Sequence, residues 1–186
     1  MRRNDRAMDR AFALEIIDEA AFGVLSLAKD GEPYGLPLSM VREGNRLLFH
    51  TAREGHKYDF IEDGARAHVV FISRVGVPDL YSTEELDELA ASGKGAASLL
   101  SQVFTTEYAS AMVRGEIREL RDPADKMRAL ELICLKYTGD KMKYFKEAAE
   151  SGGPLVRIFE VSLDEVTGKR KAFDRDKKEL KFGRRE

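Results

Sequence analysis

The sequence predicts a mainly β chain with accompanying helices, an α+β fold built on a small antiparallel barrel. Three observations carry that prediction. Short apolar runs between residues 23 and 52 are separated by the turn signals "KDGEP" and "REGN", which is the pattern of an antiparallel meander. Helical periodicity is confined to separate segments around them. The βαβ alternation of a doubly wound sheet is missing, as is any internal repeat.

In order along the chain, Asp9 caps a first helix in which Phe12, Ile16 and Ala20 recur, and this helix closes before Gly23. Three strands follow in "GVLSLAKDGEPYGLPLSMVREGNRLLFHTA". "GHKYDFIEDG" reads as a short helical connection with Tyr58 and Ile61 on one side, and "AHVVFISRV" as a fourth strand. Residues 76–103, rich in Glu, Ala, Ser and Leu, read as an inserted helical segment, with Ser82 and Glu85 at capping-box spacing. "VFTTEYASAMVRGEIRELR" is a long strand in which Gly115 permits a bulge or bend. Asp122 and Pro123 start a helix whose apolar stripe is Met127, Leu130, Ile133 or Cys134, and Tyr137. "DKMKYFKEAAE" is a second helical piece and "GGPLVRIFEVSLDEV" the last strand. Residues 1–166 thus form the domain, and the charged residues 167–186 read as a solvated tail.

Composition narrows the function. The chain has 186 residues, enough for one real core, and its 31 basic residues nearly balance 33 acidic ones, so neither nucleic acid nor an anionic membrane is an indicated partner. The tail is basic, but Asp174, Asp176 and Glu179 interrupt any continuous stripe. The N-terminus lacks the apolar stretch of a signal peptide and no run is long enough to span a bilayer, so a cytoplasmic protein is expected. Cys134 is the single cysteine and forms no intramolecular disulfide.

The residues that carry chemistry cluster in "FHTAREGHK", residues 49–57. Strand alternation puts Leu48 and His50 on one face and Leu47 and Phe49 on the other, so one polar side chain interrupts an apolar face at the strand's end. Thr51, Gly55, His56 and Lys57 follow on the turn. Backbone N–H groups, an ammonium and an imidazole favour a phosphate dianion, and glycine allows close backbone approach, so the stretch reads as an anion cradle; a hydrophilic turn with exposed charges is the alternative. His50 and His56 with Glu54 lack metal-ligand register, and no metal is expected. His68 reads as a histidine satisfied within the sheet. "GKGAAS", residues 93–98, half-matches a dinucleotide fingerprint but follows a helical segment rather than a strand. The arginines of "MRRNDR" read as surface charge or as a clamp over a ligand, and Phe104 and Tyr108 as substrate-side or core aromatics.

Taken together, "GVLSL…GEPYGLPLSMV…LLFHTAREGHKYDFI…AHVVFI" and "FTTEYASAMVRGEI" resemble the flavin mononucleotide-binding split barrels of the pyridoxamine-5′-phosphate oxidase-like superfamily. Within it the chain is most similar to flavoproteins related to 5-nitroimidazole-resistance reductases. The resemblance implies a six-stranded antiparallel split β-barrel and FMN as cofactor. It implies that the flavin ring lies beside the backbone of Pro37, Leu38, Ser39, Met40 and Val41, and that Thr51, His56 and Lys57, next to Gly55 of the cradle, hold the phosphate. It further implies that Ser110 approaches the cofactor from a partner subunit, hence a homodimer with sites at the interface. His56 stands where the oxidases proper usually have arginine. His50 matches an active-site histidine of the nitroimidazole-resistance branch and is the catalytic candidate, for substrate contact or proton delivery. The activity implied is FMN-dependent oxidoreduction of a small-molecule acceptor, with electrons from a reduced nicotinamide or similar donor. The rival is a module that binds flavin or haem without turnover, as sensor, carrier or store. Pyridoxamine-phosphate oxidase activity itself ranks third, and a deazaflavin stays open as an alternative ring.

Overall fold

The computed structural model describes residues 2–93, 97 and 99–185. Its strands are β1 (Ala7–Met8), β2 (Gly23–Lys29), β3 (Glu32–Leu38), β4 (Val41–Glu43), β5 (Arg46–Ala52), β6 (Arg66–Gly76), β7 (Glu107–Glu119), β8 (Val156–Ser162) and β9 (Glu165–Lys171). The helices are α1 (Arg10–Glu19), α2 (Thr83–Ala91), α3 (Pro123–Thr138) and α4 (Phe145–Gly152). The strand order is β3-β2-β6-β7-β8-β5-β4, with β9 pairing β1 and β7, and each pairing is antiparallel. This is the split barrel, in nine strand segments rather than six. The added ones are the two-residue β1, the three-residue β4 and β9.

Two features split the barrel. First, β7 changes partner along one edge: Tyr108–Arg114 pair with β9, whereas Ile117–Glu119 pair with β8. Gly115 sits at that corner, where an added Cβ would fall 1.7 Å from the Ser162 carbonyl oxygen. The glycine expected to allow a bend is therefore required by a backbone crossing. Second, β3 and β4 are consecutive in the chain yet stand at opposite ends of the strand order, joined only through Ser39 and Met40. A seam is left between β3 and β4, the two ends of that order.

The caps predicted from sequence are formed. Asp9 Oδ1 accepts from Phe12 N at 2.7 Å, Asp122 Oδ1 accepts from Ala124 N at 2.9 Å, and Ser82 with Glu85 completes a reciprocal capping box on α2. Phe12, Ala13, Ile16 and Ile17 of α1 plug the barrel, packing with Leu25, Leu47, Phe49, Val69, Phe71 and Val113. A second cluster of Leu48, Leu120, Ala129 and Ile158 joins the outer face of β5 to α3. Both faces of β5 are thus buried, and this strand carries the site. The connection after it is a single 3₁₀ turn, His56–Asp59.

The solvated tail expected from residue 167 is a correction. β9 runs through it, Gly168 packs under Ala13 and Met8, and Arg170, Lys171 and Leu180 are buried. A ladder strand needs backbone partners rather than apolar side chains, and the long basic side chains bury their stems: the Arg170 guanidinium lies 5.5 Å from the Phe12 ring centroid. The rest of the tail is clasped to the N-terminal arm. Arg6 pairs with Glu179, Lys181 with Asp5 at 3.4 Å, and Phe182 N donates to Asp5 O at 2.7 Å. Arg3 and Arg6 of the opening arm therefore grip the tail at Glu179. Lys177 reaches Glu85 at 2.6 Å, so the tail also braces the 76–103 insertion. "GKGAAS" lies largely outside the described residues. Among the described residues no helix is long and apolar enough to cross a membrane.

Candidate functional site

Along β3 the side chains alternate. Tyr34, Leu36 and Leu38 pack against the core, while Pro33, Gly35 and Pro37 are exposed. The strand runs from Tyr34, which stacks on Phe60 at 4.7 Å and meets His56 edge-on at 5.3 Å, to Leu38, about 13 Å further on at 3.3 Å a residue. Beyond it comes the link. Val41 pairs with Leu48, which joins the end of the link to the middle of β5. β3 thus meets the 51–57 turn through Tyr34, and the 37–41 link begins at its far end.

His50 and Thr51 are neighbours in sequence and opposite in surroundings. His50 faces the helices, where it lines a cavity of about 200 Å³ with Leu130, Cys134, Phe145, Ala149 and Val156. Its Nδ1 is buried without a hydrogen-bond partner, and burial lowers its pKa from 6.5, which keeps the ring neutral near pH 7. Thr51 faces the other way and is buried against Tyr58. Thr51 Oγ1 lies 2.6 Å from the Tyr58 hydroxyl, which in turn donates to Ala52 O at 2.7 Å.

At the lip, Gly55 has φ +119°, a conformation that glycine adopts without strain, and an added Cβ there would meet Lys57 Nζ at 3.0 Å. Lys57 Nζ donates to Glu54 O and stands 4.9 Å from the Tyr58 ring centroid; among the described residues it has no carboxylate partner within 4.0 Å. His56 is held differently from the expectation of a free phosphate donor. Its Nδ1 is 2.9 Å from Asp59 Oδ2, its ring stands edge-on to Tyr34 and Phe60, and among the described residues Nε2 has no hydrogen bond.

Ser110 is on the outer face of β7, paired with Ile72 and Lys169, and is not brought to the seam by its own chain. His68 is exposed opposite Ser26 and Arg114 rather than satisfied within the sheet. Phe104 is 77% exposed, which excludes a core role. Among the described residues no group of His, Cys, Asp and Glu is arranged to hold a metal.

Sequence reasoning missed three contributors. Arg157 of β8 pairs in register with Thr51, places its guanidinium 4.5 Å from the Tyr58 ring and is neutralised by Glu119 at 2.6 Å. Tyr137, expected in the apolar stripe of α3, instead bonds the Met40 backbone, and Lys136 joins it there. A cross-strand register would have found Arg157. Nothing local in "CLKYT" signals a contact with residue 40.

The pattern of the pyridoxamine 5′-phosphate oxidase family matches residues 9–170. No curated protein sequence matches the chain. Among solved structures, the chain is similar to a candidate 5-nitroimidazole antibiotic resistance protein from Bacteroides thetaiotaomicron VPI-5482, with 21% identity over 87% of this chain and 84% of that one and a TM-score of 0.64. It is similar to a FAD and haem binding protein from Mycobacterium smegmatis, with 16% identity over 89% and 73% and a TM-score of 0.68. It is also similar to the flavocytochrome Anf3 from Azotobacter vinelandii, with 14% identity over 94% and 78% and a TM-score of 0.67. At such identities these likenesses establish the fold.

Proposed function

Since the chain belongs to the pyridoxamine 5′-phosphate oxidase family, we propose that it binds FMN along the seam and acts as an oxidoreductase on a small-molecule acceptor. The observation that carries this reading is the contact of the open-edged strand β3 with the lip, where Tyr34 meets His56 edge-on at 5.3 Å. The residues present suit a flavin phosphate. Among the described residues Lys57 has no carboxylate counter-ion within 4.0 Å and His56 Nε2 has no hydrogen bond, and a glycine at 55 allows close backbone approach. Lys57, His56 and Thr51 hold the anionic end, and the backbone of Pro37, Leu38, Ser39 and Val41 flanks the ring. The Met40 amide is already taken by Tyr137. When bound, the flavin supplies hydride and electron transfer.

The chain's own contribution is to position, to exclude water and to place a proton carrier. His50, neutral and unpartnered at Nδ1, is the group available for a substrate hydrogen bond or proton delivery. The apolar cavity beside it suits a small uncharged acceptor, because nothing in its lining would compensate a buried charge. A homodimer is part of the proposal. The outer-face row Pro37, Val24, Val70 and Met112 crosses four strands next to the seam, Val24 and Met112 are 40% and 48% exposed, and Ser110 stands in the adjoining row. A second reading, a flavin- or haem-binding module without turnover, draws on the Mycobacterium and Azotobacter proteins, one described as binding FAD and haem and the other as a flavocytochrome.

Release and identification of the chromophore from purified protein, followed by anaerobic mixing with NADH and NADPH, separates the possibilities. The oxidoreductase reading expects FMN that bleaches on mixing. Bound flavin that never bleaches favours the module, and a colourless protein unable to take up added FMN ends both.

A further inference from the structure

Two consecutive residues of α3 converge on the backbone of a single residue, Met40. The Tyr137 hydroxyl accepts from Met40 N at 2.9 Å and donates to Met40 O at 3.0 Å. Lys136 Nζ donates to the same Met40 O at 3.0 Å and to Ile17 O at 3.3 Å, in the last turn of α1, where carbonyls lack partners within the helix. The Met40 side chain packs so closely on Gly23 that a Cβ there would meet its Sδ at 2.8 Å. The link joining the two ends of the strand order is therefore fixed from three sides.

Lys136 is also electrostatically unusual. It is partly buried, and among the described residues no carboxylate oxygen lies within 4.0 Å of its Nζ. Its pKa is lowered from 10.5 by burial, opposed by Asp18, and that carboxylate is itself engaged by Arg42 at 2.5 Å. An ammonium whose acceptors are neutral carbonyls keeps its field, and that field is weakly screened where water is excluded.

We propose that Lys136 raises the reduction potential of the bound flavin by holding an uncompensated positive charge at the link flanking the ring, while Tyr137 fixes the position of that link. The proposal rests on the flavin reading above. When the ring takes hydride from a reduced nicotinamide, it gains two electrons and one proton, hence one negative charge, and the donor leaves as oxidised nicotinamide. A fixed cation at the link favours the more negative form. Lys136 is a positioning and tuning residue with no bond to the acceptor.

The test measures FMN affinity by titration and the two-electron midpoint potential by dye equilibration, in wild type, Lys136→Gln, Lys136→Met, Lys136→Arg and Tyr137→Phe. Both charge-removing variants should bind reduced flavin about tenfold less well relative to oxidised flavin, a fall of about 30 mV in midpoint, and Lys136→Arg should restore it. Tyr137→Phe should weaken both redox forms alike and leave the potential in place. The two charge-removing variants guard against one failing to fold, which melting curves will show. A folded, flavin-loaded Lys136→Gln or Lys136→Met with an unmoved potential overturns the inference alone. Failure of the wild type to bind FMN overturns the reading beneath it.

Discussion

The corner at Gly115 and the seam beside Ser39–Met40 both depart from regular pairing, and they do so in opposite ways. At the corner, two backbones touch and the polar groups are satisfied: Ser162 Oγ accepts from Glu116 N at 2.9 Å, and Leu163 N donates to Asn45 O at 2.9 Å. At the seam, a strand edge is free and, among the described residues, Lys57 has no carboxylate partner within 4.0 Å. An open edge with an uncompensated cation beside it, against a corner whose backbone groups are paired, separates the part available to a ligand from the part that makes the fold.

The largest effect that would sharpen this contrast is at the corner. Gly115→Ala sets a Cβ against a backbone oxygen that no side-chain rotation can relieve. It should cost more than about 4 kcal/mol in urea denaturation, or prevent folding; a near-neutral result would mean that the crossing is looser than described. Lys57→Ala should do the reverse. Its Nζ bonds a single exposed carbonyl, so the melting temperature should stay nearly unchanged while FMN affinity falls about tenfold or more.

His50→Leu comes next, and it should stabilise the protein without flavin by about 1 kcal/mol, because it removes an unpartnered buried nitrogen. It should also flatten the acid limb. Burial holds the folded pKa of His50 below 6.5, so between that pKa and 6.5 the unfolded chain binds more protons and stability falls as the pH drops. Denaturation midpoints measured from pH 7 down to pH 5 check this, and an unchanged slope in the variant counts against the buried neutral imidazole. The smallest effect belongs to the clasp between the termini. Glu179→Gln loosens pairs with Arg6, Arg3 and Lys181 that are partly exposed and should cost at most about 1 kcal/mol, with FMN binding untouched.

What was legible in the sequence follows the same division. The meander, the caps at Asp9, Ser82 and Asp122, and the alternation separating His50 from Leu47 and Phe49 are local patterns, and local patterns write themselves into a few adjacent residues. β9 was not legible because "EVTGKRK" forms its ladder with β7 through backbone groups while its side chains carry charge. The corner at Gly115 announced a bend but not which chain crosses it. The pairing of Arg157 with Thr51 and the grip of Lys136 and Tyr137 on Met40 join residues distant in sequence, and only the assembled sheet brings them together. The lip at 51–57 could be read because its donors are contiguous; the way Asp59 and Phe60 orient His56 could not.

The most direct measurement is a titration of flavin-free protein with FMN, followed by absorption and fluorescence, run in parallel on Lys57→Ala. Saturable binding of FMN at one site per chain, weakened about tenfold or more by the substitution, is the expected result. Absence of binding, or equal affinity in both proteins, would contradict a cofactor held at the seam by this lip.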